Sequence, residues 1–202
     1  MALWVLAAAP SSRSPSTAAK PEDVRAKVQG YLATHDVADP DQLRVLVAEP
    51  GKPLMAIVQD ARVKGLLRAR AAAALRLVPT PEIHTFLEKL VQAKAKASDA
   101  TDRLIVRRAA VALGWMAGPR TQDQLALLFE NADDEVRLDG VIAIALTRAA
   151  TAATLLRKQR AAETSPRVRD QIDRQLRTLE PVPPQTQDPA PRKLQPPMRG
   201  GF

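Results

Sequence analysis

Three sets of residues in this chain have types and spacings that could do chemistry. Between Arg62 and Arg76, five cations (Arg62, Lys64, Arg68, Arg70 and Arg76) occur with no acid among them, a stripe suited to contacting phosphates. Asp133, Asp134 and Glu135 are consecutive acids of the kind that hold a hard cation. The same run at the start of a helix is already explained by capping and by the helix dipole. The two histidines, His35 and His84, are far apart, and neither has another His nearby in sequence to complete a metal site. Both read as ordinary surface or partly buried side chains. With no Cys there is no disulfide framework, thiol nucleophile or thiolate metal site. These absences point away from an enzyme, and neither a cofactor nor a metal is expected.

The elements that must position these residues follow from composition. The chain has 202 residues, 46% hydrophobic and 26% charged, enough apolar content for one folded domain with tails. Aromatics make up only 3%, so the core must be built from Ala, Leu, Val and Ile, which pack readily as helix against helix. Thirty Lys and Arg against 22 Asp and Glu give a net charge of +8, which attracts nucleic acid, anionic lipid or an acidic protein without choosing among them.

Both ends differ from the body. Residues Met1 to Ala9 resemble the apolar part of a secretory signal that lacks its basic leader, followed by a Ser-, Ala- and Pro-rich stretch to Lys20. Export to a periplasmic or extracellular setting is slightly favoured over the cytoplasm. The apolar run is too short to span a bilayer, so no transmembrane helix is predicted. From Pro181 onward, spaced prolines predict a disordered, polyproline-prone tail over 181–202, with residues 21–180 as the folded domain.

Within that domain one pattern recurs five times. In its clearest copy Val136 is followed by Arg137, by small Gly140 at the fourth position, and by Ala143 and Ile144 at the seventh and eighth. The other copies start at Val24, Leu67, Ile105 and Val168, and the spacing leaves room for a helix pair in each unit. Offsets of zero, four, seven and eight fall on one helical face. Each of the last four copies follows another apolar-periodic segment: 53–60, 81–95, 122–131 and 149–162. Residues 40–61 are interrupted by Pro40, Pro50, Gly51 and Pro53 and read as a broken helix or two short ones. Start signals agree with this register. Asp102, Asp133 and Ser165 each precede the first apolar residue of a helix by three. Thr80 precedes Pro81, and Thr121 has Gln124 three residues later as a capping box. The last copy, with Gln175 in place of a small residue, is polar enough to cap the array.

The pattern Val-Arg-x-x-small-x-x-Ala-Leu, preceded by an acid, resembles the HEAT-like repeat family, including the short bacterial versions first noted in phycobilisome lyases. The resemblance covers about Pro21 to Glu180. It implies an all-α, right-handed α-solenoid of four to five antiparallel helix pairs, with the second helix of each pair lining a concave, binding side. Its matching arginines are Arg25, Arg68, Arg137 and Arg169, while the third copy has Val106 in that slot and Arg107 one place later.

On the far side of the second helices, offsets two and six carry Ala69 and Ala73, Arg107 and Val111, and Leu138 and Ile142, flanked at offset three by Arg70, Arg108 and Asp139. A contiguous small and apolar stripe of this kind marks an interface unless curvature buries it. The sequence therefore predicts a non-catalytic protein-binding scaffold that holds a partner helix or peptide, or the chain's own tail, on this stripe, with Leu138 and Ile142 its most marked part. The alternative is a basic nucleic-acid-binding solenoid, as in the HEAT-like DNA glycosylases. Scarce aromatics and interrupting acids weigh against it.

Overall fold

The structure, a computed structural model, describes residues 20–116 and 121–179. The signal-like opening segment and the Pro-rich tail expected from sequence lie outside the described residues. Among the described residues the chain is all-α. Its helices are α1 (Pro21–Thr34), α2 (Pro40–Leu46), α3 (Gly51–Gln59), α4 (Gly65–Ala74), α5 (Pro81–Lys94), α6 (Ala100–Met116), α7 (Gln122–Ala126), α8 (Asp134–Leu146), α9 (Ala152–Ala162) and α10 (Pro166–Leu179). Short 3-10 turns extend α4 over Leu75–Leu77 and α7 over Leu127–Glu130. The prolines within 40–61 divide that stretch into two helices, α2 and α3.

Local chemistry sets most helix starts. Thr80 caps α5 by accepting from the Ile83 amide, and Pro81 occupies the first turn, where its missing N–H costs nothing. Asp133 caps α8, accepting from the amides of Glu135 and Val136. The other three expected caps need correction. α6 starts a turn earlier than its apolar pattern implies. Asp99 accepts the Asp102 amide at 2.9 Å, and Asp102 sits in the first turn, paired with Lys94 at 2.6 Å. The Ser165 hydroxyl donates to Asp134 at 2.6 Å instead of capping α10. Thr121 adopts helical angles, makes no side-chain cap, and places its buried hydroxyl 3.2 Å from His84 Nε2.

Packing follows the repeat. Residues at offsets zero, four, seven and eight form the core: Ile105, Ala109, Ala112 and Leu113 of α6 and Val136, Gly140, Ala143 and Ile144 of α8 are all buried. Helix α6 packs on α4 and α8, and α8 packs on α10, while α3, α5, α7 and α9 each pack on the helix that follows. Small residues let the backbones close up. A Cβ added at Gly114 would lie 2.4 Å from the Ala143 carbonyl oxygen, so α6 and α8 touch main chain to main chain there.

The turns between paired helices are tied by side chains. Asp60, Asn131 and Glu163 each accept the amide two residues ahead, at 2.9 Å in all three cases. The repeat arginines converge on these turns. Arg25 pairs with Asp60 at 3.2 Å, Arg68 Nε donates to the Val58 carbonyl at 2.9 Å, and Arg137 pairs with buried Glu163 at 3.0 Å. Where the third copy lacks its arginine, Asn131 donates to the Ala95 carbonyl at 2.7 Å and Arg103 reaches Asp133 at 2.8 Å. The ladder is thus structural, and its missing rung is replaced from the next turn.

Candidate functional site

A groove of about 610 Å³ opens between the end of α1, α4 and α6. Five of the sequence-derived candidates line it: Ala69, Arg70 and Ala73 from α4, and Arg108 and Val111 from α6. Ala69 is buried in its floor, Arg108 is exposed, and the other three are half-buried.

The remaining candidates, Arg107, Leu138, Asp139 and Ile142, do not line this groove. Arg107 Nε donates to Asp139 at 2.7 Å and its Nη2 donates to Glu135 at 2.8 Å, stapling α6 to α8. Leu138 is 8% exposed and belongs to the core, and Ile142 is half-buried. Of the two residues that the sequence marks most strongly, the fold therefore buries Leu138 and leaves Ile142 half-buried. Burial pushes the Asp139 carboxyl above its ordinary value, against the opposing pull of Arg107 and Arg108. Burial also works against the charge on Arg107, but its acidic neighbours outweigh that and hold it protonated.

The candidate set from sequence left out the groove's large apolar side chains, among them Trp115, which the sequence reads equally as core or as rim. Five large apolar side chains are exposed among the described residues, and Val37 (71%), Leu66 (54%) and Trp115 (58%) all line this one groove. The signal that identifies the walls is a set of offsets one before and three, six and ten after the repeat start. On α4 and its 3-10 extension these are Leu66, Arg70, Ala73 and Leu77; on α6 they are Leu104, Arg108, Val111 and Trp115. The spacing is that of one helical face.

The groove carries three arginines and one acid. Arg70 is committed: it donates to the Leu32 carbonyl at 2.8 Å and pairs with Asp36, pinning the turn after α1. Arg76, half-buried at the lip, and Arg108 make no hydrogen bond or ion pair with a described residue. The rest of the basic run is dispersed, Arg62 lying on Asp60 at 2.9 Å and Arg68 on the Val58 carbonyl, so it forms no continuous phosphate-facing stripe.

The acidic run is equally committed. Asp133 caps α8, Asp134 accepts from Ser165 and Arg137, and Glu135 pairs with Arg107 and Arg167. The Ser165 hydroxyl, helped by Arg137, holds the Asp134 carboxyl below its ordinary value. His84 bonds Thr121 and lies 3.6 Å from Glu88, and His35 stacks on Tyr31 with ring centroids 4.4 Å apart. Among the described residues no group of three His, Asp or Glu could hold a metal ion, and no helix is long and apolar enough to cross a membrane. What the groove can do is cover apolar side chains against Leu66, Val111 and Trp115 while presenting guanidinium groups at its edge. Comparison with protein-family models, with curated proteins and with solved structures finds no match for this chain.

Proposed function

We propose that this chain is a HEAT-like α-solenoid of four to five helix pairs that acts as a non-catalytic scaffold. It holds a helix or extended peptide of a protein partner in the groove between α4 and α6. The observation that carries this reading is that Val37, Leu66 and Trp115, three of the five exposed large apolar side chains among the described residues, converge on one groove. Scattered apolar side chains need no explanation on a surface, whereas a convergent set with an aromatic among them is the composition of a binding hot spot. The alanine floor gives a partner close approach to the α4 and α6 backbones, and the committed arginines around it are spent on the fold.

The test is capture of partners by the full chain compared with its Leu66→Asp/Trp115→Ala variant, with Val45→Asp as a control at an apolar residue that is 88% exposed and outside the groove. The expected outcome is a protein held by the parent and by the Val45 variant but released by the groove variant, all three sharing one far-ultraviolet circular dichroism spectrum. Equal retention by the groove variant, or recovery of nucleic acid alone, overturns the proposal.

A further inference from the structure

Resting on that reading, we infer that the segment this groove takes is acidic: an apolar core flanked by carboxylates that meet Arg76 and Arg108, with Trp115 covering one of its apolar side chains. The argument is one of charge complementarity. Four charged residues line the groove, and Arg70 neutralises Asp36, which leaves Arg76 and Arg108 as its guanidinium groups without a hydrogen bond or ion pair to a described residue, Arg108 also lying within electrostatic reach of Asp139. Other guanidinium groups are spent internally: Arg68 on a backbone carbonyl, and Arg25, Arg62, Arg103, Arg107, Arg137 and Arg160 on carboxylates. Arg76 and Arg108 stand beside Leu66, Leu104 and Val111 on the groove wall without a hydrogen bond or ion pair of their own to a described residue, so an apolar surface and two available guanidinium groups share one groove. An arginine at the edge of an apolar groove offers a planar fork to a carboxylate, and the apolar surroundings strengthen the bond by keeping water away.

Complementarity also excludes the nearest alternative occupants. The chain's own sequence beyond Glu180 carries Arg192, Lys193 and Arg199 against Asp188, and the stretch before Lys20 carries Arg13 and no acid, so neither end matches the groove in charge. A second copy brings a net +8 to meet another +8. A nucleic acid would find one aromatic for stacking, the Asp36 carboxylate on the groove wall and two available arginines, less than a polyanion site uses.

The experiment selects binders to the full chain from a displayed library of random short peptides and reads their composition. It then titrates a recovered peptide against Arg76→Gln/Arg108→Gln and Leu66→Asp/Trp115→Ala. The expected pool is enriched in Asp and Glu around apolar residues. Its peptides lose about tenfold in affinity per arginine removed and lose binding altogether on the apolar double change. Amidating the peptide's carboxylates, Asp to Asn and Glu to Gln, should reproduce the arginine effect on the unaltered protein. A neutral or basic pool, or an acidic one indifferent to Arg76 and Arg108 yet lost on the Leu66/Trp115 change, overturns the acidic specificity and leaves the groove reading standing. No enrichment over a blank, or a pool indifferent to both variants, overturns both. A fluorescent single-stranded oligonucleotide that displaces the peptides and is itself lost on Arg76→Gln/Arg108→Gln assigns the groove to nucleic acid and also overturns the inference.

Discussion

Three neighbouring helices present the same four offsets to the same side, yet one of the seams between them is open and the next is shut. On α4 and α6 these offsets carry Leu66, Arg70, Ala73 and Leu77 and then Leu104, Arg108, Val111 and Trp115, and the space between them is the groove. On α8 they carry Glu135, Asp139, Ile142 and Leu146, two acids where the earlier helices have an apolar residue and an arginine. Both acids take Arg107 from α6, and the seam closes over Leu138. The difference lies in charge sign at two wall positions on an otherwise repeated helix: acids on α8 take Arg107 from α6, whereas α4 and α6 carry no acid at these positions. Complementary charges across the seam between α6 and α8 staple it; between α4 and α6 Arg70 turns away to Asp36 and the Leu32 carbonyl, and among the described residues no ion pair joins these two walls.

The largest effect expected from this comparison is at Leu138. It lies on a helix packed by α6 on one side and α10 on the other, and it is 8% exposed. Leu138→Asp removes a buried leucine and places a carboxylate among Asp139 and Glu135, for a loss of about 4 kcal/mol. A urea-unfolding midpoint measured beside that of the unaltered chain checks it. A loss under about 1 kcal/mol, the size expected of an exposed residue, would mean that the second seam is as open as the first.

How much of this was legible in the sequence differs by level. The buried helical faces were legible because offsets of zero, four, seven and eight are fixed by one helix alone, and Ile105, Ala109, Ala112 and Leu113 are buried as that face requires. The caps were legible where the side chain serves its own first turn, as at Thr80 and at Asp133, whose other oxygen is still able to take Arg103. They were misplaced where a side chain found a partner across the fold. Ser165 went to Asp134, Thr121 to His84 and Asp102 to Lys94, and the start of α6 fell to Asp99. Five of the nine residues that the sequence singles out line the groove and four do not. Ala69, Arg70, Ala73, Arg108 and Val111 were placed on it, while Leu66 and Trp115 were not, because the angle at which α4 meets α6 is a tertiary quantity. So is the burial of Leu138, which depends on how closely α6 approaches α8 at Gly114 and Ala143. No single-helix pattern contains that distance.

A medium effect separates the two kinds of ion pair. Burial works against the Glu163 charge, but Arg137, the Ser165 amide and Gln159 outweigh it and hold the carboxyl below its ordinary value. A depressed carboxyl contributes stability that is whole above the ordinary glutamate value and disappears as pH falls through the lower folded one. Glu163→Gln should therefore cost about 2 kcal/mol at neutral pH, with the gap to the parent shrinking in acid. Asp139 carries the opposite sign. Its raised value means that its contribution is whole below the ordinary aspartate value and is lost as pH rises through the higher folded one. Asp139→Asn removes that cost together with one bond to Arg107, which keeps Glu135, for a net change under about 1 kcal/mol at neutral pH. Unfolding midpoints at neutral and acid pH check both. Equal and parallel losses for the two variants would erase the distinction between a turn lock and a seam staple.

The smallest effect is the most telling for the open seam. Leu66 is 54% exposed on the groove wall, so Leu66→Asp buries no new charge and empties no core. Its cost to stability should stay within about 0.5 kcal/mol, the range of a surface substitution. It is the same chemical change as Leu138→Asp, one helix pattern and two seams apart in outcome. The two variants measured side by side ask whether the wall positions are truly free in the isolated chain. A loss at Leu66 approaching that at Leu138 would show that the groove is filled by the chain itself, and the apolar wall would then be core. A near-zero loss leaves Leu66, Val37 and Trp115 as a convergent apolar surface on the isolated chain, the kind of patch that marks a site of interaction and on which the proposed function rests.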